Sequence, residues 1–303
     1  ATFTQVAKET IFPMELDLYQ REVGDTMEVA SYDFEQSVLD LIADKHLWGD
    51  PNNLVIDKSN PFGKYNNPTN NLNEVLTGKW YSDTYNMLIT QPDKQFLFPI
   101  IIYLDKTGTT VYNRYALEPV VFTTAIFNLK VRNMTSAWRP LGFVPDLDLK
   151  SSAVKEAERR KKDGKGRSNR NYHKCLDVIL RSMKESQDRG GIPCKLRIGD
   201  KVKDVRLITP LCFVINDGKS GDTICCRYGG HHTKRMSRSC LIDFEHCDDP
   251  FFKCTPLSMK VMDERYKMIQ NPPGRTDKDK KNNKKDAKNY LQQHCCHETK
   301  NAF

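Results

Sequence analysis

The sequence predicts an α/β fold with a central mixed sheet, and two observations support that class. Two apolar runs, residues 96–107 (FLFPIIIYLDKT) and 207–218 (LITPLCFVINDG), carry the consecutive branched side chains typical of strands covered on both faces. Between them the pattern predicts two further strands and a helix. Each run also ends in an aspartate, Asp105 or Asp217, so two carboxylates are expected where two buried strands leave the sheet.

Each element between the two runs has its own signature. Residues 116–128 (ALEPVVFTTAIFN) are rich in β-branched and aromatic side chains, which predicts an antiparallel neighbour of the first run. Residues 137–144 (AWRPLGFV) predict a shorter third strand. Residues 173–189 predict an amphipathic helix with Leu176, Ile179, Leu180 and Met183 on one face, and Gly190-Gly191 ends it.

A hairpin and a fourth strand complete the predicted sheet. Residues 195–205 are expected to form a small hairpin with Gly199 and Asp200 at its turn, and the strand that leads to Asp217 follows. The order is thus three antiparallel strands, a crossover helix and a returning strand. By analogy of element order, this arrangement matches the ribonuclease H-like (RNase H-like) nucleotidyltransferase core.

The region before the first run is predicted to be mostly helical. Residues 33–47 (DFEQSVLDLIADKHL) have apolar positions at helical spacing, and either Ser31 or Asp33 is the expected cap. After a loop rich in Asn and Pro, residues 72–88 resume a helical pattern. Two aromatic residues of this second helix are expected to pack on the core: Trp80 and Tyr81.

Composition divides the chain into four regions. A helical N-terminal region precedes the RNase H-like core with its basic insert, and a Cys/His-rich insertion and a basic helical or loop-like tail follow. Because the sequence starts without an initiator Met, we expect a fragment of a longer polypeptide with a truncated tail. The predicted bounds are 1–90, 91–223 with the insert at 145–172, 224–256 and 257–303.

The composition is that of a globular protein. The chain has 303 residues, of which 38% are hydrophobic and 28% are charged. No stretch approaches the roughly 20 apolar residues of a membrane span, so no membrane partner is expected. The ten cysteines begin at Cys175, and no signal-peptide pattern is present. This usage favours reduced thiols in the cytosol or nucleus.

Positive charge is concentrated in two segments of a chain whose formal net charge is +8. Residues 155–174 hold nine Lys or Arg against three acidic residues, and residues 277–288 hold six Lys against three Asp. Each segment is either a solvated loop or a surface that neutralises nucleic-acid phosphates. The candidate nucleic-acid-binding residues are Arg159, Arg160, Lys161, Lys162, Lys165, Arg167 and Arg170.

Asp105 and Asp217 are the candidate catalytic residues. If their strands are neighbours, the two carboxylates converge, and they then either bind Mg²⁺ or repel each other. In two-metal phosphoryl transfer, such carboxylates hold two divalent ions about 4 Å apart. The alternative is that each Asp caps the turn after its strand. Asp222 is another candidate for the second ligand, and the third carboxylate is expected at Asp263, at Glu264 or beyond Phe303.

The Cys/His-rich insertion contains enough soft ligands for one structural zinc ion, although it lacks a C-x2-C pair. Ordinary thiols are the alternative. The nearby residues Cys295, Cys296, His294 and His297 either complete that site or are independent of it. A cysteine–histidine nucleophile is the rival chemistry, but no Gly-rich nucleophile turn accompanies it. The candidate zinc ligands are Cys225, Cys226, His231, His232, Cys240, Cys247 and Cys254.

Several stretches of the sequence together resemble one known family. They are residues 100–133 (IIIYLDKTGTTVYNRYALEPVVFTTAIFNLKVRN), 137–147 (AWRPLGFVPDL), 169–180 (NRNYHKCLDVIL) and 212–231 (CFVINDGKSGDTICCRYGGH). The family is that of the transposases of Plavaka-type elements, in the CACTA superfamily of cut-and-paste DNA transposons. In that superfamily an Asp ends the first core strand, a second Asp lies in an IND context and a cysteine-rich segment follows. The matching positions here are Asp105, Asp217 and Cys225 onward.

The resemblance implies a nuclear DDE/D nuclease and strand transferase that acts on transposon ends with Mg²⁺ or Mn²⁺. DNA is then the partner, and a homo-oligomer is compatible with this activity. Because the third acidic residue of the family is not identifiable, two alternatives stay open. One is a catalytically inactive nucleic-acid-binding protein derived from a transposase, and the other is a zinc-stabilised interaction module.

Overall fold

The computed structural model describes residues 15–20, 26–68, 71–108, 116–145, 167–216, 218–227, 240, 242, 244–246, 249 and 253–303. The chain divides into two compact units. The first unit comprises Ala1–Tyr19, Met27–Pro145 and Val178–Ile215. The second unit comprises Gln20–Thr26, Asp146–Asp177 and Asn216–Phe303.

Strands and helices are interspersed along the chain, as in a mixed α/β protein. In chain order the elements are β1 (Glu15–Gln20), β2 (Thr26–Ser31), α1 (Phe34–Ala43), α2 (Lys45–Trp48), α3 (Lys79–Leu88), β3 (Gln95–Leu97), β4 (Ile100–Leu104), β5 (Thr107–Gly108), β6 (Ala116–Thr124), α4 (Leu129–Arg132), β7 (Arg139–Val144), α5 (Arg167–Ile179), α6 (Arg181–Asp188), β8 (Ile192–Ile198), β9 (Lys201–Ile208), β10 (Leu211–Ile215), α7 (Gly218–Ile224), α8 (Met259–Gln270) and α9 (Asp277–Gln293).

The larger sheet has the strand order β1-β2-β7-β6-β4-β10, with β5 paired to β6 beside this path. The strands β4, β6 and β7 are antiparallel neighbours, whereas β10 runs parallel to β4. Three antiparallel strands and a later returning strand are thus present in the predicted order, with α5 and α6 between them in sequence. The prediction of a mixed α/β fold is confirmed.

Strand β4 is an interior strand of this sheet, between β6 and β10, as its apolar run predicts. Ile100, Ile102 and Leu104 are fully buried, because β6 and β10 flank the strand and helices cover the sheet. Phe34 at the start of α1 packs on Phe122 of β6, with ring centroids 5.3 Å apart. Burial of such side chains is the main favourable term in folding.

Strand β10 differs from its prediction as a buried strand. Phe213 is 50% exposed and Ile215 is 45% exposed, because β10 ends the order of strands that the structure describes. An apolar run alone does not distinguish a central strand from an edge strand. The buried part of the run belongs instead to the end of β9, where Leu207 is fully buried.

A smaller sheet, with the order β3-β9-β8, continues directly into the larger one. Strand β3 is parallel to β9, and the next strands along each segment, β4 and β10, are also parallel. One sheet gives way to the other at Pro99 and Pro210, which have no N–H to donate to a strand ladder. On either side of these prolines the Phe98 amide donates to Ile208 O at 2.7 Å, and the Ile100 amide donates to Pro210 O at 2.8 Å.

The hairpin forms as predicted, whereas the helix predicted over residues 33–47 divides at Asp44, whose backbone is extended, into α1 and α2. Strands β8 and β9 pair in antiparallel register, and Gly199 has a φ of +57° at the turn between them, which a glycine adopts without steric cost. Asp33 is the cap of α1, since its Oδ1 accepts a hydrogen bond from the Gln36 amide at 2.8 Å.

Other details of the first unit depart from the sequence predictions. Tyr81 is buried as expected, but Trp80 is 37% exposed, so its predicted packing on the core is wrong. The strands β1 and β2 lie within the region predicted to be mostly helical, and β2 joins the main sheet through β7.

The four side chains expected on one face of the helix at 173–189 are all buried: Leu176, Ile179, Leu180 and Met183.

The second unit contains a helical hairpin formed by α8 and α9. Its core consists of Met262 and Ile269 from α8, Ala287 and Leu291 from α9, and Cys296. The Arg265 guanidinium of α8 stacks over the Tyr290 ring of α9 at 4.7 Å, which adds a cation–π contact to the apolar packing. Within the described part of the chain, no helix is long and apolar enough to cross a membrane.

Candidate functional site

The first candidate site is the edge of the larger sheet where β4 and β10 end. In the parallel register Ile215 lies opposite Tyr103, so the carboxyl ends of both strands reach the same edge. Asp105 directly follows β4 and is half-buried. Its Oδ2 accepts a hydrogen bond from the Tyr103 hydroxyl at 3.2 Å, and the Tyr103 ring meets Trp138 edge-on at 6.2 Å.

The Asp105 carboxylate has coordination capacity left. The Tyr103 hydroxyl occupies one lone pair of a group that offers about four. Among the described residues, no Lys or Arg forms an ion pair with this carboxylate. A half-buried carboxylate of this kind is a suitable hard oxygen ligand for Mg²⁺ or Mn²⁺.

The other predicted acidic residues are distributed differently. Asp217 lies outside the described residues. Asp222 is half-buried in α7 of the second unit, and its backbone carbonyl accepts from the Arg227 amide at 2.7 Å. Asp263 of α8 pairs with Lys267 at 2.7 Å, and Glu264 is exposed. The identity of the carboxylates that join Asp105 therefore stays a prediction.

The second candidate site lies in the second unit, where two pairs of adjacent cysteines end two helices. After α7, Cys226 has a φ of 54°, its amide donates to Thr223 O at 3.0 Å, and the Arg227 amide donates to Asp222 O. These two bonds form a Schellman motif, in which the left-handed position is usually glycine. A cysteine there carries a steric cost of about 1 kcal/mol.

The end of α9 repeats the same motif. Cys295 has a φ of 56°, its amide donates to Gln292 O at 3.1 Å, and the Cys296 amide donates to Leu291 O at 2.9 Å. Among the described residues other than glycine, these two cysteines alone have positive φ. Backbone strain of this kind is found most often at functional or tightly constrained positions.

The two helix ends meet. Arg227 and Cys296 form an antiparallel bridge, and the His297 amide donates to Cys226 O at 2.7 Å. A cavity of about 30 Å³, lined by Cys225, Cys226, Cys296 and His297 among others, lies at this junction. Its size allows about one water molecule. The structure thus brings Cys225 and Cys226 beside Cys296 and His297, a proximity that sequence spacing left open.

His173 of α5 fixes this junction in place. Its Nδ1 accepts a hydrogen bond from the Ala302 amide at 3.2 Å, and an amide can only donate. The neutral ring therefore carries its proton on Nε2, which lies 3.0 Å from Thr223 O and 3.1 Å from Cys226 Sγ. Asn169, one helical turn earlier, donates to the same Thr223 carbonyl at 2.8 Å.

This arrangement does not favour nucleophilic cysteine chemistry. Burial, followed by the neighbouring Cys296 and Cys225, raises the pKa of the Cys226 thiol far above its ordinary value. Burial likewise raises the pKa of Cys296 to about 11, although Arg227 opposes the shift. Both thiols are therefore protonated near neutral pH, and His173 Nε2 already carries a proton. A thiolate nucleophile requires the opposite conditions.

The zinc prediction stays a prediction. Among its candidate ligands, His231, His232 and Cys247 lie outside the described residues. The part of the chain that the structure describes contains no group of three or more His, Cys, Asp or Glu side chains arranged to hold a metal ion. Cys225, Cys240 and Cys254 are half-buried and form no disulfide among the described residues.

Most of the predicted basic patch also lies outside the described residues: Arg159, Arg160, Lys161, Lys162 and Lys165, together with the side chain of Arg167. Arg170 is half-buried on α5. Burial lowers the pKa of His297 to about 4, and the charge of Arg170 contributes next. Arg170 is thus an electrostatic neighbour of the helix junction.

No local sequence pattern indicated the roles of Asn169 and His173, because their common acceptor, Thr223, is distant in the chain. Their spacing of four residues places them on one helix face, but many helices carry such pairs. Likewise, nothing in the pairs Cys225-Cys226 and Cys295-Cys296 indicated a left-handed residue, since glycine is the usual signal for one.

Together the two units define a mixed α/β protein with an acidic strand end in one unit and a thiol-rich junction of helix ends in the other. The family model described as Plavaka transposase matches residues 22–298. The chain therefore belongs to the Plavaka transposase family, and the resemblance noted in the sequence is confirmed. A comparison with curated proteins found no match.

Proposed function

We propose that this protein is a DNA transposase that cuts and joins transposon ends by two-metal phosphoryl transfer in the nucleus. Membership of the Plavaka transposase family supports DNA as the substrate. The observation that carries the catalytic part of the proposal is the parallel pairing of β10 with β4, because it brings a second strand end beside Asp105.

The sheet order supports an RNase H-like core. In such a core, three antiparallel strands are followed by a helix and by a strand that returns parallel to the first. Here β4, β6 and β7 are the antiparallel strands, α5 and α6 follow in sequence, and β10 returns beside β4. The small sheet of β3, β9 and β8 is then an addition to this core.

The strand register supports Asp217 as the partner of Asp105. Ile215 pairs with Tyr103, and in the sequence Asp217 follows the first of these residues by two positions, as Asp105 follows the second. Two carboxylates at neighbouring strand ends repel each other unless a cation lies between them or one is protonated. Bound Mg²⁺ or Mn²⁺ ions would activate the attacking hydroxyl and stabilise the leaving oxygen of the phosphodiester.

The roles of the chain's own residues follow from this geometry. Asp105 supplies carboxylate oxygens from a rigid strand end, and the Tyr103 hydroxyl orients the carboxylate through its hydrogen bond. Asp222 is the alternative to Asp217. For the third carboxylate, Glu264 is a better candidate than Asp263, because Asp263 already pairs with Lys267.

The test is cleavage of a plasmid that carries the ends of the element, measured with and without Mg²⁺. Asp105→Ala should abolish divalent-dependent cleavage and leave non-specific DNA binding intact. The matched control is Asp83→Ala, which removes an exposed carboxylate of α3 in the same unit. Retained cleavage in Asp105→Ala, or equal loss in the control, would contradict the assignment.

A second function is a catalytically inactive, nucleic-acid-binding protein derived from a transposase. The observation in its favour is that Asp263 is held in an ion pair, which leaves the exposed Glu264 as the remaining one of the two described candidates for the third ligand. Salt-dependent DNA binding by the wild-type chain, with no nicking in Mg²⁺ or Mn²⁺, would establish this function instead.

A further inference from the structure

Helix α9 has an unusual distribution of charge. It runs over Asp277–Gln293 and begins with a capping box, in which Thr276 and Asp279 satisfy each other's backbone amides. Asp277 and Asp279 in the first turn also interact favourably with the positive end of the helix dipole. Two of the three acidic residues of the helix are thus explained by its N-terminus.

The packing of α9 fixes which of its faces is exposed. Ala287 and Leu291 are buried against α8, and Tyr290 lies under the Arg265 guanidinium. These residues lie within about 100° of one another around the helix axis, at 3.6 residues per turn. The opposite side of the helix therefore points to solvent.

Three of the six lysines of α9 occupy that opposite side. Lys278, Lys281 and Lys285 are exposed and lie within about 60° of one another around the axis. They have no ion pair or hydrogen bond among the described residues. The helix's remaining acidic residue, Asp286, lies on a different flank. Further along, Lys288 differs because it pairs with Glu298 at 2.7 Å.

We propose that this surface, defined as Lys278, Lys281 and Lys285 and called the α9 lysine face, binds the phosphate backbone of duplex DNA. The identity of the polyanion rests on the proposed function. The first and last of these lysines are about 10 Å apart along the axis, which is about three base-pair rises along a strand. Lysines of this spacing can each approach a phosphate of the same backbone.

The chemistry of the face favours a nucleic acid over a membrane. Helices that bind membrane surfaces expose large apolar side chains beside their lysines. The neighbours of the α9 lysine face are instead polar, namely Asn282, Asn289 and Gln292, and all are exposed. Lysine ammonium groups act as point charges on phosphates, so the face should contribute affinity without reading base sequence.

The salt dependence of binding tests this proposal. The full chain and the variant K278Q/K281Q/K285Q are titrated onto a fluorescent 30-base-pair duplex of random sequence between 50 and 300 mM NaCl. The slope of log K against log salt is negative, and each lost phosphate contact reduces its magnitude by about 0.9. The magnitude of the slope should therefore be smaller by about 2 to 3 for the triple variant than for the wild-type chain. Gln has a helix propensity close to that of Lys, so the helix is preserved.

A charge-matched control separates the face from net charge. The variant K79Q/K195Q/K201Q removes three exposed lysines of the first unit, and its slope should change by less than about 1. A gain-of-charge variant, Gln292→Lys, extends the face at an exposed position and should steepen the slope by about 0.9. Equal losses in both triple variants, or an unchanged slope in K278Q/K281Q/K285Q, would overturn the proposal.

The same samples separate this proposal from the proposed catalysis. Binding slopes are measured without divalent ions, whereas nicking is measured with Mg²⁺. If K278Q/K281Q/K285Q shows the expected change in slope but the wild-type protein nicks no DNA, the catalytic function fails and the α9 lysine face stands. If the wild-type protein nicks DNA and K278Q/K281Q/K285Q has the wild-type slope, the face fails and the catalytic function stands.

Discussion

Ile215 of β10 lies opposite Tyr103 of β4 in a parallel pair. This relationship determines how the first unit presents its acidic strand end, because parallel neighbours finish at the same edge of a sheet. An antiparallel β10 would have ended at the opposite edge. The proposed catalytic role of Asp105 depends on this pairing, and the buried centre of β4 holds the strand in position.

The two strands should respond differently to the same substitution. Ile102→Ala in β4 removes a fully buried side chain and should lower the free energy of unfolding by about 3 kcal/mol. Ile215→Ala in β10 removes one that is 45% exposed and should cost less than about 1 kcal/mol. Urea denaturation followed by tryptophan fluorescence is suitable, since all the tryptophans lie in the first unit: Trp48, Trp80 and Trp138.

The cap of α1 gives a second prediction. Asp33→Ala removes the acceptor of the Gln36 amide and should destabilise the first unit by about 1 kcal/mol. Asp33→Asn keeps an acceptor oxygen and should remain within a few tenths of a kcal/mol of wild type. Thermal unfolding measures both. Equal destabilisation by the two variants would mean that the cap does not act through this hydrogen bond.

His173 should stabilise the junction of helix ends in the second unit. His173→Ala leaves the Ala302 amide without its acceptor and opens a cavity, so it should cost about 2 to 4 kcal/mol. Hydrogen exchange of the segment that contains Ala302 is the direct readout and should accelerate. Ser168→Ala, at an exposed position of the same helix, is the control. Unchanged exchange in His173→Ala would show that the bond is dispensable.

Tyr81 should make the first unit sensitive to alkali. Burial raises the pKa of Tyr81 to about 12 from its ordinary value of 10.0. The unfolded chain therefore releases this proton at lower pH than the folded chain, so the contribution of Tyr81 is complete below pH 10 and is lost as pH rises towards 12. In Tyr81→Phe this component is absent. The stability difference between wild type and variant should change by roughly 2 kcal/mol over that window, and a constant difference would contradict it.

The sequence predicted those features that depend on local patterns. The branched run of β4 indicated a buried strand because its side chains are apolar on both faces. Asp33 was one of the two expected caps of α1. The hairpin turn at Gly199 was predicted because glycine is a residue type that favours turns. In each case the physical cause lies within about ten residues of chain.

Features that depend on distant neighbours were missed. The exposure of Phe213 and Ile215 follows from the position of β10 in the strand order, which the composition of the strand does not reveal. Trp80 lies on the outer side of α3, although its neighbour Tyr81 is buried. The left-handed cysteines at the ends of α7 and α9 depend on the docking of those ends through Arg227 and Cys296.

The most direct test of the central claim, that Asp105 is a ligand of the catalytic metal, is a metal-specificity switch. Asp105→Cys replaces a hard oxygen ligand with a soft sulfur ligand, which Mg²⁺ binds poorly and Mn²⁺ accepts more readily. Cleavage of the plasmid with the element's ends is measured in each metal, with Asp83→Cys as the control. We predict that Asp105→Cys loses cleavage in Mg²⁺ and regains at least about tenfold of it in Mn²⁺, equivalent to about 1.4 kcal/mol. Full cleavage by Asp105→Cys in Mg²⁺, or the same residual rate in both metals, would contradict the claim.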